Sequence, residues 1–259
     1  MPEPTPRNHP NIPDNPAGRP VILLTRPRVA SERFAGQLEA RIGGSARIVV
    51  APLAEIVPTH APVPDPDAFD FVVFTSENGA AMLGGAPRRL PCYCVGARTA
   101  EAAQGLGYEP AHVARDVSAL IRHLLAHPPT GQGLYARGVQ VSHPLAEALA
   151  EEGIRITETM LYRQAPQNWS GALVAEITGA DVIAPLFSPH IARRFRASLE
   201  VSGLRAAAVA LSPSVAAALG PDFRGEIHTC AAPDAESMCT AVEGLLDAWG
   251  KLEQAGSPS

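Results

Sequence analysis

Two stretches far apart in the chain are built to one plan, and that plan limits what the chain can become. Residues 69–83 read FDFVVFTSENGAAML, and residues 180–195 read ADVIAPLFSPHIARRF. In each, an apolar run stops at small hydroxyl residues and a helical pattern begins at once. Each is followed by a second apolar run, a second small polar turn, a second helix and a glycine: CYCVGARTAEAAQGLGY after the first, AAAVALSPSVAAALGP after the second. Ser76 and Thr99 are 23 positions apart (99 − 76); Ser188 and Ser214 are 26 apart (214 − 188). The repetition reads as two copies of one βαβα unit. Such alternation dictates parallel sheets covered by helices.

The remaining pattern agrees. Short apolar runs predict strands over 21–25, 47–53, 92–96, 133–138, 154–162, 206–211 and 226–230, besides the two in the repeats. Helical spacing predicts helices over 31–40, 98–106, 117–127, 144–152, 169–177, 191–199, 214–219 and 235–249, and one from 78. A chain of 259 residues suits two domains of roughly 100–130 residues each. Two segments, a proline-rich 49–69 and 161–169, break the alternation and read as extended linkers. The middle block is therefore expected as an insertion: one α/β domain from 20–49 plus 167–250, a second from 50–166, and disordered tails over 1–19 and 251–259.

Composition excludes several functions. The net charge is −5 and no basic block occurs, so the clustered cations that nucleic acid requires are missing. No apolar run reaches the length of a membrane span, and the polar, proline-rich start has no signal-peptide core. A cytoplasmic protein is expected, and, with no exposed apolar stripe, a monomer. Of the four cysteines, Cys92 and Cys94 would share one face of a strand, while Cys230 and Cys239 stand apart. Their spacing does not suit zinc, and buried reduced thiols are the plain reading. No metal site is expected.

The hydroxyls at the strand–helix junctions admit two readings. They cap helix N-termini, satisfying N–H groups that lack partners. The same turns lie at the carboxyl ends of parallel strands, where ligands bind, and helix N-termini favour anions. Phosphate-loop, dinucleotide and nucleophile-elbow motifs are absent. His143 and His190 lie near turns and read as caps or surface groups. No carboxylates converge. The chain looks equipped to bind a polyanion with little chemistry of its own.

At this point the motifs resemble a family. VILLTRP, FVVFTSENG, VGARTAEAAQGLG, YARG followed by LAEALAEEGIRITETMLYRQ, LFSPHIARRF and LSPSVAAALG occur in the order seen in uroporphyrinogen-III synthases, over about residues 21–249. The resemblance implies two flavodoxin/Rossmann-like parallel-sheet α/β domains, a two-stranded linker and a substrate cleft between them. It implies cofactor-free cyclisation of hydroxymethylbilane, a tetrapyrrole polycarboxylate, with loss of water and inversion of the last pyrrole ring. By the same resemblance Tyr162 is the candidate general acid, though it also suits packing at a domain junction. Arg26, Ser76, Asn78, Thr99, Arg137, Gly138, Ser188 and Ser214 are the candidate substrate-binding residues. Arg26 and Arg137 suit either substrate carboxylates or structural ion pairs. Two departures stand out: no second arginine follows Arg137-Gly138 in Val139–His143, and Val215 replaces a hydroxyl residue. They keep open an inactive relative, or a non-catalytic two-domain protein that binds anions.

Overall fold

The computed structural model describes residues 19–86, 89–140 and 144–256. The expected disorder of the first residues lies outside these. In chain order the elements are β1 (Val21–Leu24), α1 (Arg28–Ile42), β2 (Arg47–Val50), β3 (Ala54–Pro58), β4 (Phe71–Phe74), α2 (Glu77–Leu83), β5 (Pro91–Val95), α3 (Ala97–Gly105), β6 (Glu109–Ala114), α4 (Val117–Ala126), β7 (Gly133–Gly138), α5 (Leu145–Ala150) and β8 (Ile156–Pro166). Then follow α6 (Gly171–Ile177), β9 (Val182–Leu186), α7 (Pro189–Ser202), β10 (Ala207–Ala210), α8 (Pro213–Ala217), β11 (Ile227–Thr229) and α9 (Ala235–Gly256). The chain forms two compact units. One combines the residues up to Glu55 with those from Pro166 onward; the other is Ile56–Ala165.

The central strands β1, β4, β9 and β10 form because their residues are apolar without interruption, as a sheet buried on both faces requires. In β1, Val21 and Leu23 enter one core while Ile22 and Leu24 enter another. In β4, Val72 and Phe74 face one side and Phe71 and Val73 the other. The first unit holds a sheet in the order β11-β10-β9-β1-β2, with every neighbouring pair parallel. The second holds β3-β8-β7-β4-β5-β6, parallel from β8 to β6.

The repeat read from the sequence is present as β4-α2-β5-α3 and β9-α7-β10-α8. The sheets extend the match. Each copy runs three strands outward (β4-β5-β6, β9-β10-β11) and has two more on its other flank (β7-β8, β1-β2). The chain enters the same five-strand arrangement at different points. This gives the 3-2-1-4-5 order in the second unit and 2-1-3-4-5 in the first, the two common doubly wound orders. Each reverses direction once, between β4 and β7 and between β9 and β1. Doubly wound sheets bind ligands outside the carboxyl ends of the strands at this reversal.

Three local expectations change. β6 was not predicted: its segment EPAHVA carries Pro110 and few apolar residues, which a strand tolerates at a sheet edge. α6 starts at Gly171 and not at Trp169, because the Ser170 hydroxyl accepts from the Leu173 N–H at 3.2 Å and fixes the cap. That leaves Trp169 extended, its indole N–H donating to the Ala51 carbonyl at 3.1 Å. α9 continues through Lys251 to Gly256, where a disordered tail was expected, over residues (Lys, Leu, Glu, Gln) that favour helix. The four cysteines are buried and free, with the Cys92 and Cys94 sulfurs 3.6 Å apart on one face of β5.

Candidate active site

In the second unit the reversal point gathers most of the residues singled out. β4 ends at Phe74; Thr75 follows, and Ser76, in extended backbone, caps α2 by accepting from the Asn78 N–H at 3.2 Å. On the neighbouring β7 the turn is Arg137-Gly138. Tyr162 arrives from β8 by an irregularity. Arg137 stands opposite Met160, but Gly138 stands opposite Tyr162, so β8 spends one extra residue, Leu161, in a bulge. Alternation therefore fails locally: Leu161 and Tyr162, at 3% and 8% exposure, both enter the same core with Phe74 and Leu134. Without the bulge, consecutive residues would face opposite sides of the sheet.

The Ser76 side chain and the Gly138 backbone N–H lie close enough to the Tyr162 hydroxyl to act on its ionisation. The tyrosine ring lies against Gly138, where a Cβ would stand 2.8 Å from Cε2 and 2.9 Å from Cζ. Only glycine allows this approach. Burial pushes the phenol above the usual tyrosine range, and the neighbouring Ser76 side chain and Gly138 N–H, which favour the phenolate, pull part of the way back. Tyr162 is thus a protonated, water-shielded donor held between the two turns at the reversal. A further phenol, Tyr135 on β7, shares a 3.0 Å hydrogen bond with Thr75; neither was predicted as a site residue.

Arg137 is engaged. Its Nε and Nη2 grip the Glu158 carboxylate at 3.0 and 2.9 Å, and its Nη1 donates to the Gly138 carbonyl at 2.9 Å. Thr99 lies in the first turn of α3, on the next strand over, and is buried with Ala100 and Ala103.

The first unit has its own reversal point, and Arg26 and Ser188 meet it from β1 and β9. The Arg26 guanidinium lies over the Phe187 ring, 4.2 Å from its centroid. Phe187 is in turn held edge-on by Phe34 at 4.9 Å. The Ser188 hydroxyl accepts from the Ile191 N–H at 3.3 Å and caps α7, a 14-residue helix closed at its other end by Gly203 in left-handed backbone. At the end of β10 the capping position of α8 is Ser212, and its hydroxyl lies 2.9 Å from that of Ser214. Val215 is 2% exposed in the core, so a hydroxyl at this position would face apolar side chains. Sequence reading passed over Thr25. It follows β1 fully buried, and it is the only buried side chain among the described residues whose hydroxyl lacks a partner.

His190 lies on the flank of α7, where it lines a groove of about 850 Å³ between α6 and α7 with Trp169, Val174 and Arg193. Burial, then Arg194 and Arg193, push its imidazole below the usual range. This groove is roomy, yet it is flanked by helices and not by strand ends. His143 and the second half of Val139–His143 lie outside the described residues.

Losing the Ser188 cap has a predictable cost. Ser188→Ala should destabilise the first unit by about 1 kcal/mol and lower its melting temperature by roughly 2–4 °C, measured by calorimetry.

The fold and the strand-end donors define a class: a two-unit, doubly wound α/β protein whose reversal points present hydroxyls, N–H groups and one shielded phenol. A family model described as "Uroporphyrinogen-III synthase HemD" matches residues 32–240, and the chain belongs to the uroporphyrinogen-III synthase family. With that membership goes the synthase activity, a lyase step of tetrapyrrole biosynthesis. Among solved structures the chain is similar to uroporphyrinogen-III synthetase from Helicobacter pylori. The TM-score is 0.61 and the identity 14%, over 88% of this chain and 99% of that one. It is also similar to a mutant uroporphyrinogen III synthase from the extremely thermophilic bacterium Thermus thermophilus, with a TM-score of 0.51 and 19% identity over 89% of this chain and 99% of that one. At these identities the likeness is one of fold. No curated protein sequence matches the chain. No helix among the described residues is long and apolar enough to cross a membrane.

Proposed function

We propose that the chain closes hydroxymethylbilane to uroporphyrinogen III at the reversal point of the second unit, with Tyr162 as general acid. The supporting observation is the buried Tyr162, packed against the Gly138 turn beside Ser76 at the reversal point. The substrate supplies most of the driving force. A pyrrole nitrogen lone pair expels the terminal hydroxyl as the carbon–oxygen bond breaks. Tyr162 gives its proton to that oxygen, so water leaves. The resulting azafulvene is attacked by the already substituted carbon of the last ring, giving a spiro intermediate. That intermediate fragments and recloses with the ring inverted. The proton released on final rearomatisation returns to the phenolate. The protein's task is orientation and proton supply.

Ser76, Asn78, Thr99 and the Gly138 turn are the proposed carboxylate ligands in the second unit; Arg26, Ser188 and Ser214 are those in the first. Hydroxyl and N–H donors suit a substrate with many carboxylates and explain how a chain of charge −5 binds it. Arg137, whose guanidinium is already engaged by Glu158 and the Gly138 carbonyl, is left out of this set. We further propose a cytoplasmic monomer.

The test is incubation with freshly generated hydroxymethylbilane, oxidation of the products and chromatographic separation of porphyrin isomers. Predominantly isomer III is expected. Isomer I alone, at the rate seen without protein, would overturn the reading and leave a binding protein or an inactive relative.

A further inference from the structure

We propose that Arg137 and Glu158 form a positioning pair that fixes the Gly138 turn, and through it the Tyr162 hydroxyl, and that Arg137 is not a substrate ligand. This rests on the reading of Tyr162 as the acid.

The geometry is a continuous chain of contacts. Glu158 on β8 stands diagonally across from Arg137 on β7, two register positions before its direct partner Met160. The guanidinium and carboxylate meet edge to edge through two parallel bonds, at 3.0 and 2.9 Å. Such a fork-to-fork pair fixes orientation as well as charge. The arginine side chain is 12% exposed and the glutamate 34%, so the cation is the more enclosed partner. The other edge of the guanidinium faces the turn. Nη1 donates to the Gly138 carbonyl at 2.9 Å and reaches the Val139 carbonyl at 3.4 Å. The Tyr162 ring lies directly against Gly138, and the N–H of Val139 donates to the Tyr162 carbonyl at 2.8 Å. The two residues whose carbonyls Arg137 holds are therefore the two that position Tyr162, one by packing under its ring and one by holding its backbone.

This arrangement explains the chemistry of the residue choice. A lysine offers a point charge and cannot span a carboxylate and two carbonyls in one plane. A substrate-binding arginine would present its fork outward, whereas here both edges are occupied within the unit. The bulge at Leu161 adds a reason for an external brace. It interrupts the β7–β8 ladder where Tyr162 must be held, so the turn lacks one regular pairing.

The experiment compares Arg137→Lys and Glu158→Gln with the parent. Steady-state kinetics use freshly generated hydroxymethylbilane. Tyr162 is titrated by its tyrosinate absorbance, taken as the difference from Tyr162→Phe. Each variant should lower kcat about tenfold, as a small misplacement of a reacting group does, with KM changed less than about twofold. In Arg137→Lys the charge is kept and the Gly138 turn is loosened, so the backbone N–H that favours the phenolate draws away and the Tyr162 titration moves to higher pH. A rise in KM at unchanged kcat would make Arg137 a substrate ligand and overturn the proposal. A lower melting temperature with kcat and the Tyr162 titration both unchanged would reduce the pair to a structural ion pair and overturn it equally. Should Glu158→Gln fail to fold, Arg137→Lys carries the test alone. Unchanged turnover in Tyr162→Phe would sink the acid reading separately, while the titration would still report whether the pair holds the phenol.

Discussion

Gly79→Ala will destabilise the second unit by about 2 kcal/mol and lower turnover on the order of tenfold. A Cβ at Gly79 would stand 2.4 Å from the carbonyl oxygen of Ala136 and 3.4 Å from its carbon. Both are backbone atoms of β7 and have no rotamer to yield. The helix must back away from the strand. α2 begins at the Ser76 cap, and β7 ends at Gly138, so these two elements carry the two groups nearest the Tyr162 hydroxyl. Moving one from the other displaces the surroundings of that hydroxyl. In an exposed helix the same change is favourable, since alanine exceeds glycine in helix propensity by about 1 kcal/mol. Gly36 supplies the control: it lies in α1 with nothing within 4 Å of an added methyl, and Gly36→Ala should raise stability by roughly 0.5–1 kcal/mol. Chemical denaturation of both variants, with isomer-resolved turnover, decides. Equal stability of Gly79→Ala and the parent would mean that α2 and β7 do not depend on this close contact.

What could be read from the sequence follows from which interactions are local. β1, β4 and β9 are continuous apolar runs, and a helix pattern follows each, so strands, helices and parallel sheets were legible. The sequence also placed Ser76 and Ser188 at strand ends, because a hydroxyl before a helix has a local reason to be there. Interactions set by register were not legible. Nothing near residue 162 announces the bulge at Leu161, which depends on how β7 and β8 align. The pairing of Arg137 with Glu158 joins residues on neighbouring strands, so the arginine alone read equally well as a substrate ligand. Motif resemblance points to Ser214 for the last turn but does not say which serine caps α8, and the cap position falls to Ser212. Val215, a departure from the resemblance, became intelligible only once its side chain was found in the core. The β6 strand escaped notice because edge strands need so little apolar sequence.

Tyr162→Phe should lower kcat on the order of a hundredfold, the low end for loss of a positioned general acid, or about 2.7 kcal/mol of barrier. The fold should survive. The ring fills the same space among Leu161, Phe74 and their neighbours, and only the hydroxyl is lost. The pH dependence gives a second reading of the same group. Burial raises the phenol from its usual value near 10, so the donor form persists through neutral pH and is lost only as pH rises through the elevated value. The parent should therefore show no loss of turnover attributable to Tyr162 between about pH 7 and 9, while Tyr162→Phe is uniformly slow across that range. Product composition separates proton supply from orientation. If Tyr162 only donates a proton, the product still made by Tyr162→Phe remains isomer III, diluted by isomer I formed in solution at its own rate. A collapse to isomer I from the enzyme itself would assign the tyrosine to substrate orientation. Unchanged turnover would remove it from the mechanism, leaving the departing hydroxyl to be protonated by water or by another donor at the reversal point.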